Sequence, residues 1–152
     1  MPTIQLEYDR LGSRLVQIGD VAISYDRLGS RASALGELAL DHDVLGSRLS
    51  AIGDRALSYD RLGTRPSQLG DWQLAYDWLG SRLSRVGPFE LTYDRLGSRV
   101  AAIGDLALEY DRLGSRAKRV LVPEDRTGLS AEELVTVFFV LLEAERAQES
   151  ES

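Results

Sequence analysis

Apolar residues in this chain come in short runs, separated by the same polar punctuation again and again. Take Arg14 to Ile18 and Val21 to Tyr25, which flank Gly19-Asp20. Paired antiparallel, Ile18 faces Val21, Val16 faces Ile23 and Arg14 faces Tyr25, all on one side. Across the copies that side carries aliphatics beside the turn, Leu or Ile in the middle, and Tyr with Arg at the far end. The opposite side carries mostly Ala, Ser, Gln, Glu and Thr. One face is buried and one is wet, so each unit reads as a β-hairpin.

The hairpins repeat with a period of seventeen residues. Tyr8, Tyr25, Tyr59, Tyr76, Tyr93 and Tyr110 keep the beat, and His42 takes the missing one. Each is followed by a corner such as Tyr25-Asp26-Arg27-Leu28-Gly29-Ser30-Arg31, where Asp starts a turn and Gly suits a left-handed position. A second series, Gly19, Gly36, Gly53, Gly70, Gly87 and Gly104, marks tight two-residue turns. Met1 to Tyr8 reads as the second half of a unit, so the array starts in mid-repeat. The prediction is a mainly β fold: tandem seventeen-residue hairpins over residues 1–120, forming an antiparallel meander. The rival is a parallel solenoid with one coil per repeat. Its stacked coils would align identical Asp and identical Arg residues about 4.8 Å apart, and like charges placed so are destabilising.

The pattern changes after a connecting loop at residues 121–129. Ser130 with Glu133 three residues later is a capping-box signature. Leu134 to Leu142 is apolar at every position except Thr136, so a helix over residues 130–147 has no polar face along that stretch. Such a helix has to be enclosed. Residues 148–152 read as a disordered acidic tail. The expected enclosure is the sheet curled or closed into a barrel around it, and the alternative is helices of several subunits burying one another. A nine-residue belt rises about 13.5 Å, and five-residue strands tilted by about 40° build a wall of roughly 13 Å. Fourteen strands set that wall roughly 14 Å from the axis, so bulky side chains such as Tyr, Trp72 and Phe89 have to fill the gap.

Composition narrows the function. There is no cysteine, which removes disulfides, thiol nucleophiles and thiolate metal sites. Net charge is −6, against a general nucleic-acid binder. "LVTVFFVLL" is well short of the roughly 18 residues of a membrane span. The N-terminus lacks a basic region followed by an apolar core, so no signal peptide is expected, and a soluble cytoplasmic protein is the expected class. Charge is unevenly placed: residues 129–152 hold six acids and only Arg146. The corners of one rim sum to twelve Arg against seven Asp, whereas the other rim carries Asp20, Glu37, Asp54, Asp71 and Asp105. The Arg-rich rim suits an acidic protein or an anionic ligand, and opposite rims suit end-to-end assembly of copies.

Repetition argues against catalysis, since an active site needs one constellation and the corners supply seven. No nucleophile–base pair, phosphate loop or metal cluster stands out, so no enzyme and no cofactor is expected. Asp41-His42-Asp43 holds the only histidine between two carboxylates. Alternation puts the two Asp on one face and His42 on the other, which favours a drifted repeat over a metal centre. The candidate partner contacts are Trp78, which replaces an Arg at a corner, with Arg27, Arg61, Arg95 and Arg112 at the same place in other copies. Arg55 occupies a position otherwise filled by apolar residues. Pointing inward it needs an anion, and Glu143 or Glu145 of the helix are the candidates for a buried ion pair.

Tyrosine-aspartate, two residues, glycine and then arginine, recurring between short strands from Tyr8 to Arg116, resembles the YD repeats of Rhs- and teneurin-type proteins. The resemblance implies a β-sheet wall wound around enclosed material, here the C-terminal helix. The period of seventeen departs from the slightly longer unit of that family. The functional expectation is a non-enzymatic structural or binding module. Its alternative is a self-assembling scaffold joined through rims or helix, and behind that an enzyme or an encapsulating shell.

Overall fold

The computed structural model describes residues 2–9, 14–26, 31–43, 48–60, 65–77, 82–94, 99–110 and 116–151, with side chains described as far as residue 144. The first seven strands are β1 (Thr3–Tyr8), β2 (Leu15–Ile18), β3 (Val21–Tyr25), β4 (Ala32–Leu35), β5 (Leu38–His42), β6 (Leu49–Ile52) and β7 (Arg55–Tyr59). The next seven are β8 (Pro66–Leu69), β9 (Trp72–Tyr76), β10 (Leu83–Val86), β11 (Phe89–Tyr93), β12 (Val100–Ile103), β13 (Leu106–Tyr110) and β14 (Ala117–Leu121). One helix follows, α1 (Ala131–Glu151).

Each strand pairs antiparallel with its neighbours in sequence, and β1 also pairs with β14, so the meander closes into a barrel. The closing pair matches Ile4 with Val120. These are the counterparts of Val21 and Ile18, which face each other across the first tight turn. The half-unit at the N-terminus therefore completes the half-unit at the end of the array. The seam is an ordinary hairpin without its turn.

The tight turns follow from glycine. Gly19 has φ +60°, and no described non-glycine residue has positive φ. Positive φ at the first central residue alone is the signature of a II′ turn, whose twist matches that of the strands it joins.

Alternation along the even-numbered strands is broken. Tyr8 pairs with Leu15 while Glu7 pairs with Gln17, so Val16 is an extra residue, a β-bulge. Leu15 and Ile18 therefore both point inward, at 5% and 1% exposure, and Leu15 takes the inward place expected of Val16. The same break recurs in every pairing across a Tyr-Asp corner, as between Ser24 and Tyr25 or Glu109 and Tyr110.

Register sets the size of the barrel. Ile23 pairs with Leu35, and Leu35 pairs with Leu38 across the next turn. Leu38 is the counterpart of Val21 rather than of Ile23, so each unit displaces the ladder by two residues. Repeated around all the units, this gives a tilt of about 35° and a radius of about 13 Å.

The helix occupies the space inside. Val135, Thr136, Val137, Phe138, Phe139, Val140 and Leu141 are buried in succession, which is all azimuths of the helix. They form one core with the inward residues of the wall. Phe138 and Phe139 supply much of the bulk needed between an axial helix and so wide a wall, and the half-buried tyrosines supply the rest. Thr136, wholly buried, satisfies its hydroxyl by donating to the Glu132 carbonyl at 2.8 Å. The capping box forms as expected: Ser130 N–H donates to Glu133 Oε1 at 2.9 Å, and Glu133 N–H to Ser130 Oγ at 3.1 Å. α1 runs through Glu151, beyond its expected end at residue 147, and takes in most of the expected disordered tail. Ala, Gln and Glu in that stretch are good helix formers, and no Gly or Pro interrupts them.

Candidate functional site

The strands expose two different rims. At the rim with the Tyr-Asp corners, a three-residue arrangement recurs. Asp9 N–H donates to the Arg14 carbonyl at 2.8 Å, and Arg14 Nε donates to Asp9 Oδ2 at 2.9 Å. The Arg14 guanidinium lies 4.2 Å above the Tyr25 ring, and Tyr25 Oη donates back to the Leu15 carbonyl at 2.6 Å. Asp43, Arg48 and Tyr59 repeat this arrangement, as do Asp94, Arg99 and Tyr110. The arginine thus both bridges to Asp and stacks over Tyr.

These polar groups are consumed in holding the corners. Burial pushes the Tyr110 hydroxyl up to about 12, with Arg99 pulling the other way. Tyr93 is raised by burial too, and Tyr76 is raised strongly, by burial first and then by the Glu143 carboxylate. The tyrosines are held as neutral donors to the main chain.

His42 occupies a tyrosine place within this ring, with Arg31, Asp26 and Asp43 among the charges around it. Burial, followed by the Arg31 charge, lowers its pKa, while Asp26, Asp43 and Asp41 oppose that shift. Asp41 points outward and is exposed, whereas Asp43 is bonded to Arg48 at 3.0 Å. Among the described residues no group of three or more His, Asp and Glu is placed to hold a metal ion.

The sequence-derived partner contacts Trp78, Arg27, Arg61, Arg95 and Arg112 lie outside the described residues. Arg55 is described, and its expected pairing with Glu143 is corrected. Its guanidinium lies 3.6 Å from Asp71 and 3.9 Å above the Trp72 ring, at the rim of the tight turns. Glu143 belongs to the far end of the buried helix stretch, where it faces Tyr76 at the other rim. Arg55 stands at the start of its strand, beside a turn that supplies a carboxylate, so it needs no anion from the helix. The Glu145 side chain lies outside those described.

Trp72 in turn meets Phe89 edge to face, with ring centroids 5.7 Å apart. Arg55, Trp72 and Phe89 form one stack that was not foreseen from the sequence. The signal was present, because residues seventeen apart are neighbours around the ring. The acids of this rim, Asp20, Glu37, Asp54, Asp71 and Asp105, are all exposed. Arg126 in the loop before α1 bonds Asp105 at 2.8 Å and also the buried Glu133. Burial alone would raise the Glu133 carboxyl, but Ser130 N–H and Arg126 outweigh it and hold it below the usual range.

No family model, curated protein or solved structure matches this chain. No helix among the described residues is long and apolar enough to cross a membrane.

Proposed function

We propose that the protein is a non-enzymatic binding module that presents its Arg-rich rim to an acidic protein or similar polyanion. The observation that carries this is the use of each corner aspartate. In all six described corners the Asp is spent on the Arg five residues later, as Asp9 on Arg14 and Asp77 on Arg82. By sequence count the corner motifs, with Arg10, Arg27, Arg61, Arg95 and Arg112 included, hold twelve Arg against seven Asp, an excess of positive charge on this rim. Filling of the barrel interior by the chain's own helix supports the same reading, since it directs recognition to the rims. Binding of a glutamate decapeptide tests it. The full chain should bind with an affinity that falls steeply with salt, and Arg27→Gln with Arg61→Gln and Arg95→Gln should weaken it at least tenfold. Equal binding by the triple variant would remove the proposal.

A second reading is favoured by the ring of exposed acids on the opposite rim. Copies stacked rim to rim would match that ring with surplus arginine. Sedimentation at low salt should then show a mass above one chain that collapses to one chain at high salt. A single-chain mass throughout removes this alternative.

A further inference from the structure

One apolar column of the wall, beside the tight turns, is covered unevenly. Leu106 is 1% exposed, whereas its counterparts Ile4, Val21, Leu38, Trp72 and Phe89 are half-buried. The difference lies with the loop after β14. Leu121 pairs with Ala107, Val122 beyond it is wholly buried, and Leu129 packs against the core. Arg126 of the same loop bonds Asp105, the turn acid beside Leu106, at 2.8 Å. At this place the chain supplies apolar carbon and a guanidinium together, three residues apart.

Two further places are served from within the chain. Arg55 lies 3.6 Å from Asp71 and stacks over Trp72, and Pro88 stands where the next unit would carry its acid. Three consecutive units are left. Their acids Asp20, Glu37 and Asp54 are exposed and have no ion-pair or hydrogen-bond partner among the described residues. Apolar carbon fills the intervals, because Ile4, Val21 and Leu38 lean over Gly19, Gly36 and Gly53, within 2.9 to 3.0 Å of where a Cβ would sit. Acidic and aliphatic groups therefore alternate along this sector. Successive acids are one hairpin apart: two strand spacings of about 4.8 Å, or roughly 12 Å around a rim whose strands tilt by about 35°. Four residues of extended chain span about 13 Å.

We propose that this sector docks an extended, basic peptide segment of a partner protein, with Arg or Lys at every fourth residue and a bulky aliphatic residue between. The cations meet Asp20, Glu37 and Asp54, and the aliphatic side chains cover Ile4, Val21 and Leu38. The loop makes the same pair of contacts at Asp105 and Leu106. This docking face lies on the rim opposite the Arg-rich corners, so it stands apart from any polyanion bound there.

The probe is a dodecapeptide of three Arg-Thr-Gly-Leu units, the spacing of Arg126 and Leu129, labelled for fluorescence anisotropy with the full chain. Saturable one-to-one binding is expected. Asp20→Asn with Glu37→Gln and Asp54→Asn should weaken it by about tenfold or more. Glu7→Gln with Asp41→Asn and Glu90→Gln removes the same charge from exposed places on the outer wall, and should weaken it less than about threefold. The peptide with serine in place of each leucine should also bind about tenfold more weakly, a comparison that leaves the protein unaltered. The proposal is overturned by absence of binding, by equal binding of the serine peptide, or by equal losses in the two triple variants. A chain that sediments as a stack of copies and excludes the peptide would overturn it too, because a second copy would then be the occupant.

Discussion

The hydroxyl of Tyr8, in the first strand, donates to the carbonyl of Ala117, in the last, at 2.8 Å. It is the bond that Tyr25 makes to Leu15, and Tyr59 to Leu49, within the array. Those pairs are ten residues apart in sequence, whereas Tyr8 and Ala117 are 109 apart. The two ends of the array therefore meet as any two neighbouring units do.

If the seam is equivalent to the internal junctions, removing one hydroxyl should cost the same in either place. Tyr8→Phe and Tyr59→Phe are each expected to lose about 1 kcal/mol of unfolding free energy, measured by urea titration. A negligible cost at Tyr8 beside a full cost at Tyr59 would mean that the barrel stands open in solution.

Side chains at the starts of odd-numbered strands lean on the tight-turn glycine of the next unit. A Cβ at Gly87 would lie 2.5 Å from Cγ of Trp72, and one at Gly104 would lie 3.4 Å from the Phe89 ring. Both glycines have positive φ, +55° and +58°, so alanine is strained at each by about 1–2 kcal/mol. Gly87→Ala should be worse than Gly104→Ala by a further 1–3 kcal/mol or so, because a rigid indole has to move. Trp72→Leu should recover most of that excess in thermal melts. Equal penalties at both glycines, or no recovery, would contradict the packing.

His42 links the ring to pH. Its pKa is lowered in the fold, so between its folded value and the ordinary value near 6.5 the unfolded chain binds the extra proton. The stability tied to neutral His42 is present above pH of about 6.5 and is lost as pH falls. His42→Tyr should remove this dependence and restore the hydroxyl bond that the other units make to the main chain, for a gain of about 1 kcal/mol near neutral pH. Denaturant midpoints from pH 5 to pH 7 would show it. A variant whose stability falls with acid in this window as steeply as the parent would refute the assignment.

Much of this fold is legible in the residues themselves. The seventeen-residue beat gives the hairpins, the Gly-Asp pairs give the tight turns, and Leu134 to Leu142 announces a helix that has to be enclosed. The bulge is hidden by strict alternation from the turn, which selects Val16. Comparison of columns reveals it, because every counterpart of Leu15 is apolar while Val16 is answered by Ser33, Ser50, Ser67, Ser84, Ala101 and Lys118. A sheet closed around that helix is legible too, whereas the tilt and radius of the barrel rest on a two-residue ladder step that only the register displays. Arg55 is an isolated charge in an apolar column, which signals the need for an anion but not which anion. Asp71 and Trp72, one unit further around the ring, are its neighbours.

The enclosure of α1 carries the whole account, and the absence of cysteine makes it directly measurable. Single variants Val137→Cys, wholly buried in mid-helix, and Ala131→Cys, exposed at the helix start, can be challenged with a thiol reagent under native conditions. The expected result is rapid labelling at residue 131 and labelling at residue 137 only as fast as global unfolding permits. Rapid labelling of Val137→Cys while the strands remain folded would show a helix outside the barrel, and would contradict the account.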